Sequence, residues 1–95
     1  VRPVRIWSVY DREERLVLAC SDVPGDVNFA RPPDDSAEPV TCPFATVQAY
    51  DPRVESDLLD ELVKAHDLGD FLERLARRGF RVREGRPRIQ RIARL

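Results

Sequence analysis

One histidine, two cysteines and a spread of carboxylates are the side chains in this 95-residue chain that acid–base, nucleophilic or metal chemistry would draw on. His66 stands at the expected end of a helix, where the negative end of the helix dipole favours a charged imidazole. General-base work would need a nucleophile and an orienting carboxylate beside it, and Asp67 adjoins it only in sequence. Cys20 and Cys42 lie 22 positions apart. That is unlike the dense cysteine framework of a small secreted domain, so two buried, unpaired thiols are expected, with a single bridge tying the long loop to a strand as the alternative. Together with His66 they lack the short ligand pairs of a structural zinc site. Asp57, Asp60 and Glu61 share one helical turn and Asp34 and Asp35 are adjacent, but the expected setting of both groups is solvent, where paired carboxylates do not divide acid and base roles. The four glycines are too scattered to cradle a phosphate, and no serine sits in a nucleophile-elbow pattern. No metal or cofactor is called for, and a non-enzymatic protein is expected over an enzyme.

Charge carries more information. Charged residues make up 35% of the chain and the formal net charge is −1. By segment, residues 1–20 carry +1, residues 21–73 carry −10 and residues 74–95 carry +8. Of the basic residues only Lys64 is a lysine. Arg77, Arg78, Arg81, Arg83, Arg86, Arg88, Arg91 and Arg94 are the candidate binding residues, a basic ridge suited to phosphate or another polyanion. Alternatively, the acidic and basic regions answer each other, within one molecule or between two. Asp60–Lys64, Asp70–Arg74 and Glu73–Arg77 stand at i,i+4 with the acid first, the favoured order. Trp7 and Tyr10 read as packing residues of an apolar strand and not as a stacking platform.

These side chains have to be positioned by few elements. Residues 3–10 are rich in β-branched and aromatic residues and read as a strand. The polar run Asp11-Arg12-Glu13-Glu14 is a turn, and residues 15–20 return as a second strand whose Leu16-Val17-Leu18-Ala19 suits burial on both faces. Residues 21–43 hold Pro24, Pro32, Pro33, Pro39 and Pro43 and several acids, the composition of a long loop. Residues 44–50 offer a third strand. Asp51-Pro52 signals a helix start, and Val54, Leu58, Leu62 and Val63, with Leu59 beside them, are expected to line its buried face. Asp67 or Asp70 caps a second helix carrying Phe71, Leu72, Leu75 and Ala76. Gly79 is its left-handed terminator and Phe80 the apolar contact after it. Residues 80–84 form a strand and Gly85-Arg86-Pro87 a turn; hairpin context favours a returning strand over residues 88–95, whereas Ile89, Ile92 and Ala93 keep helical spacing.

Two helices followed by a basic hairpin resemble the second half of a winged helix–turn–helix domain, with the hairpin as wing; the resemblance spans about residues 53–95. It implies nucleic-acid binding through the arginine-rich hairpin.

The expected architecture is a single α+β domain: a small antiparallel sheet of four or five strands with two helices on one face, in the order β-β-β-α-α-β-β. No apolar run approaches the ~20 residues of a membrane span. No basic region followed by an apolar stretch opens the chain, so a cytoplasmic, soluble protein is expected. The chain has no methionine and begins Val1-Arg2-Pro3, which fits both removal of an initiator methionine and excision from a longer chain. The leading functional expectation is a small non-enzymatic binding or adaptor module that self-associates, through an exposed sheet edge or through the acidic and basic regions, as a homo-oligomer, a dimer in its simplest form. The alternative is a nucleic-acid-binding protein using the C-terminal arginines.

Overall fold

The computed structural model describes residues 3–25 and 39–86. Five strands and two helices follow one another: β1 (Ile6–Tyr10), β2 (Leu16–Ser21), β3 (Val40–Cys42), β4 (Ala45–Ala49), α1 (Glu55–Lys64), α2 (Leu68–Arg77) and β5 (Arg81–Glu84). The sheet runs β3-β4-β2-β1-β5, with every neighbouring pair antiparallel. This is the expected α+β class, with one more strand before the helices. The expected final strand, residues 88–95, and most of the proline-rich loop lie outside the described residues.

The first hairpin is organised by one carboxylate. Asp11 Oδ1 accepts from the backbone N–H of Glu13 and of Arg15, both at 2.9 Å, and its Oδ2 accepts from Arg15 Nε at 2.9 Å. An Asx-type turn of this kind satisfies backbone donors that the ladder cannot reach. It places Glu14 in the left-handed region, with φ 65°. A register shift between Val9 and Tyr10 then accommodates one extra residue in β2.

Register decides which side chains meet the helices. Val9 stands opposite Leu18 and Val82, and Cys20 opposite Val47, so these share one face. Val9, Leu18, Cys20 and Val47 are buried in one cluster with Leu58 and Leu62 of α1 and Phe71 and Leu75 of α2. The other face is smaller and more polar. Ser8, Ala19, Ser21, Thr46 and Gln48 are buried there beside Ile6. Their hydroxyls are satisfied locally: Ser8 Oγ donates to the Gly85 carbonyl at 2.7 Å, Ser21 Oγ donates to that of Val23 at 2.8 Å, and Thr46 Oγ1 accepts from Gly25 N at 3.0 Å. Burial on both faces of β2 follows the unbroken apolar run that its sequence carries.

α1 begins three residues later than the Asp51-Pro52 signal suggests. Asp51 instead closes a preceding turn, accepting from Arg53 N at 3.0 Å, and Val54 occupies the cap without a side-chain bond. Leu58 and Leu62 point into the core and Val54 and Leu59 flank it, but Val63 is 84% exposed. A stripe built on 54, 58 and 62 rotates position 63 outward by about 100°, so its apolar character does not contribute to the core. Of the apolar residues on α2, Phe71 and Leu75 are buried and Ala76 is exposed.

α2 has both ends closed. Asp67 is its cap and accepts from Asp70 N at 2.8 Å, while Asp70 Oδ2 accepts from His66 N at 2.9 Å. This reciprocal arrangement satisfies two donors at the helix start. At the other end Gly79 has φ 97°, Gly79 N donates to Ala76 O at 3.0 Å and Phe80 N to Leu75 O at 3.2 Å. Those two bonds define a Schellman motif, and Phe80 packs against the core as the chain enters β5.

Candidate functional site

The two helices are joined by the first set of arginines. Glu61, on the inner side of α1, accepts from Arg74 Nη1 at 3.4 Å and from Arg78 Nη1 at 3.1 Å. Arg74 also reaches Asp70 at 3.2 Å, and Arg78 lies 3.8 Å from Asp57. Arg77 is held by Glu73 at 3.1 Å along its own helix. Acidic α1 and the basic end of α2 therefore meet inside one molecule. Asp70–Arg74 and Glu73–Arg77 form as their spacing suggests, whereas the expected Asp60–Lys64 pair is not among the ion pairs of the described residues.

The second set lies across the sheet. Among the described residues β5 sits at one margin of the sheet, and its alternation places Val82 toward the helices and Arg81 and Arg83 on the opposite face. Both arginines converge on a single carboxylate from the first hairpin. Arg81 Nη1 donates to Glu14 Oε2, and Arg83 Nη2 donates to Glu14 Oε1 at 3.1 Å. Arg83 also lies over the Tyr10 ring, 5.3 Å from its centroid. At the far end of the strand Glu84 receives Arg5 through Nε at 3.0 Å and Nη2 at 2.9 Å, with Arg5 stacked over Trp7 at 4.9 Å. That two-point contact holds the Glu84 carboxyl below its usual range.

The eight candidate arginines are thus distributed. Arg77 and Arg78 belong to the helix layer, Arg81 and Arg83 to the far face of the edge strand, and Arg86 engages a partner at the strand's end. Arg88, Arg91 and Arg94 lie outside the described residues. Glu14, Arg12 and Arg5 join this arrangement although their local sequence marks them only as residues of a charged turn and of the first expected strand. Hairpin register is the signal that connects them, because Tyr10 opposite Arg81 brings the turn beside β5. Arg12 folds onto Gly79, its Nη2 within 2.8 Å of where a Cβ would stand. That close approach is a second reason for glycine there. Arg12 makes no ion pair with any described carboxylate.

The acid–base candidates are elsewhere. His66 is exposed and Cys20 is buried, while Cys42 is half-exposed on β3; both thiols are free. Burial, with the neighbouring Cys42 thiol adding to it, pushes the Cys20 pKa up to about 12. Among the described residues no three His, Cys, Asp or Glu side chains are grouped to hold a metal ion. An open depression of about 360 Å³ at the start of α1 is lined by Pro52, Glu55, Ser56, Leu59 and Asp60. Glu55 and Asp60 there have no basic partner among the described residues. No helix in the described residues is long and apolar enough to cross a membrane. Comparison with protein-family models, curated proteins and solved structures finds no match to this chain.

Proposed function

We propose that this domain is a small non-enzymatic binding module that associates with a second copy of itself through opposite charges. The supporting observation is what remains after internal pairing. Glu55 and Asp60 leave unmatched acid at the depression where α1 starts, while Arg12 against Gly79 and the two-to-one set of Arg81 and Arg83 on Glu14 leave excess base from Gly79 into β5. A two-fold dimer brings each acidic face to the other copy's basic edge, so both contacts form at once.

The sheet edges offer a poorer route. β3 is three residues long and lies between Pro39 and Pro43, which lack the N–H groups an added strand needs. On β5, Gly85 N donates to Ile6 O at 2.7 Å, so the alternating pattern leaves Val82 and Glu84 with outward backbone groups. Antiparallel pairing of two copies centred on Val82 sets Arg81 against Arg83. Centred on Arg83, it sets that residue against itself. Like charges directly opposed destabilise a sheet, so the edge repels its own copy and charge complementarity is the better interface.

Light scattering across a range of protein concentrations tests this reading. Association weakens with added salt, since the screening length falls from about 10 Å at 0.1 M to about 3 Å at 1 M. Arg81→Glu with Arg83→Glu yields a monomer, as does Glu55→Arg with Asp60→Arg, and mixing the two variants restores a dimer. A parent protein that stays monomeric at all concentrations overturns the proposal. If that monomer instead gains mass with a mixed oligonucleotide pool, reversibly with salt, the nucleic-acid alternative replaces it.

A further inference from the structure

We infer that Arg81 and Arg83 form a binding site for a doubly charged oxyanion of the phosphate-monoester class, which Glu14 occupies until such a ligand displaces it. Two guanidinium groups from one edge strand meet a single carboxylate, one on each oxygen. Glu14 neutralises one of their two charges and leaves the other unmatched. A phosphate monoester carries about −1.5 to −2 charge at neutral pH and three acceptor oxygens. It matches the pair in charge, and it offers three acceptor oxygens where the carboxylate offers two. Planar guanidinium forks suit this geometry better than ammonium groups would.

The site is built before any ligand arrives. Adjacent alternate positions of β5 fix the arginine spacing, and Arg83 is steadied by the Tyr10 ring beneath it. Glu14 is presented by a turn that Asp11 clamps, with Glu14 N donating to Asp11 O at 3.0 Å. The neighbouring acids are already engaged: Asp11 and Glu13 both bind Arg15 at 2.9 Å. Among the described residues Glu14 is therefore the sole carboxylate on these two arginines. It is held by exposed contacts alone, with Arg81, Arg83 and Glu14 side chains 56%, 59% and 47% exposed. Exposed pairs of this kind are weak enough to exchange.

The test is a titration of the isotope-labelled domain with inorganic phosphate at pH 8, followed by NMR, with chloride at matched ionic strength as control. Shifts are expected at Glu14, Arg81 and Arg83, including the arginine Nε–H signals. Glu14→Gln removes the competing charge and tightens phosphate binding about two- to fivefold, the range that exposed pairs imply. Glu14→Gly does the same while relieving the positive φ, so a gain in both variants separates displacement from backbone strain. Arg81→Gln with Arg83→Gln loses the response. Free phosphoserine in place of inorganic phosphate distinguishes the sources: tighter binding marks a phosphorylated side chain, equal binding the free ion. No tightening in either Glu14 variant, or shifts confined to other arginines, overturns the inference. Stronger displacement by an oligonucleotide diester than by phosphate also overturns it. The titration is read on the monomer at low concentration, so it stands or falls independently of self-association.

Discussion

At the scale of single residues, environment separates groups of the same type. Cys20 is buried between strand and helices while Cys42 is half-exposed on the three-residue edge strand β3. Since the thiolate is the reactive form, a pKa pushed up to about 12 by burial makes Cys20 inert at neutral pH. A thiol reagent added to the folded protein should modify Cys42 and spare Cys20, with the second label appearing only on unfolding; mass spectrometry of the labelled peptides checks this. Rapid labelling of both would mean that β2 opens readily. Their spacing favours free thiols without deciding against a bridge; both are free, but only Cys20 is buried as expected. Trp7 packs against the core as its strand suggests, and Trp7 and Tyr10 each also carry an arginine over the ring. No local pattern announces that contact, because Arg83 and Tyr10 are 73 positions apart and meet only through the β1–β5 register.

At the scale of elements, short-range chemistry was readable and long-range pairing was not. The Schellman end of α2 follows from the order Arg78-Gly79-Phe80, and the cap from Asp67 three residues ahead of Asp70. Both rest on contacts within five residues. Gly79→Val should therefore destabilise the domain by about 1 kcal/mol or more, because a β-branched residue tolerates positive φ poorly, and Arg12 must also move. Asp67→Ala should cost about 1 kcal/mol through the lost cap. Urea unfolding measures both, and a neutral Gly79→Val would show that the chain ends α2 another way. The extra strand β3 was missed because prolines on both sides give its three residues the composition of a loop. The delayed start of α1 has a similar origin: Asp51 prefers the near N–H and guanidinium of Arg53 to a helical N–H, and the turn consumes the capping signal. Arg81 and Arg83 were identified as candidates from sequence, yet their common partner Glu14 depends on two hairpin registers together.

At the scale of the whole molecule, one apolar layer and a shell of ion pairs hold the domain, and the two respond to different perturbations. Phe71 is fully buried between α2 and the sheet. Phe71→Ala should cost about 3–5 kcal/mol, a large part of the about 5–15 kcal/mol typical of a domain, and should act equally at any pH near neutrality. The shell behaves otherwise. Asp51 is held below the ordinary carboxylate range first by Arg53, Asp70 first by the His66 backbone N–H and Glu84 first by Arg5. For Asp11, partial desolvation pushes the carboxyl up, but the Arg15 backbone and side chain outweigh it and the result is also a lowered value. Each of these groups has a folded pKa below its unfolded one, so the unfolded chain binds more protons in acid. Their contribution is fully present above the unfolded carboxylate values and is lost as pH falls through the folded ones. The urea midpoint should then be level from pH 7 to about 5 and fall steadily below about 4. Asp11→Asn combined with Glu84→Gln should lower the neutral plateau and flatten that acid slope, whereas Phe71→Ala lowers the plateau and leaves the slope in place. An unchanged slope in the double variant would shift the acid sensitivity to carboxylates outside the β1–β2 turn and the β5 edge.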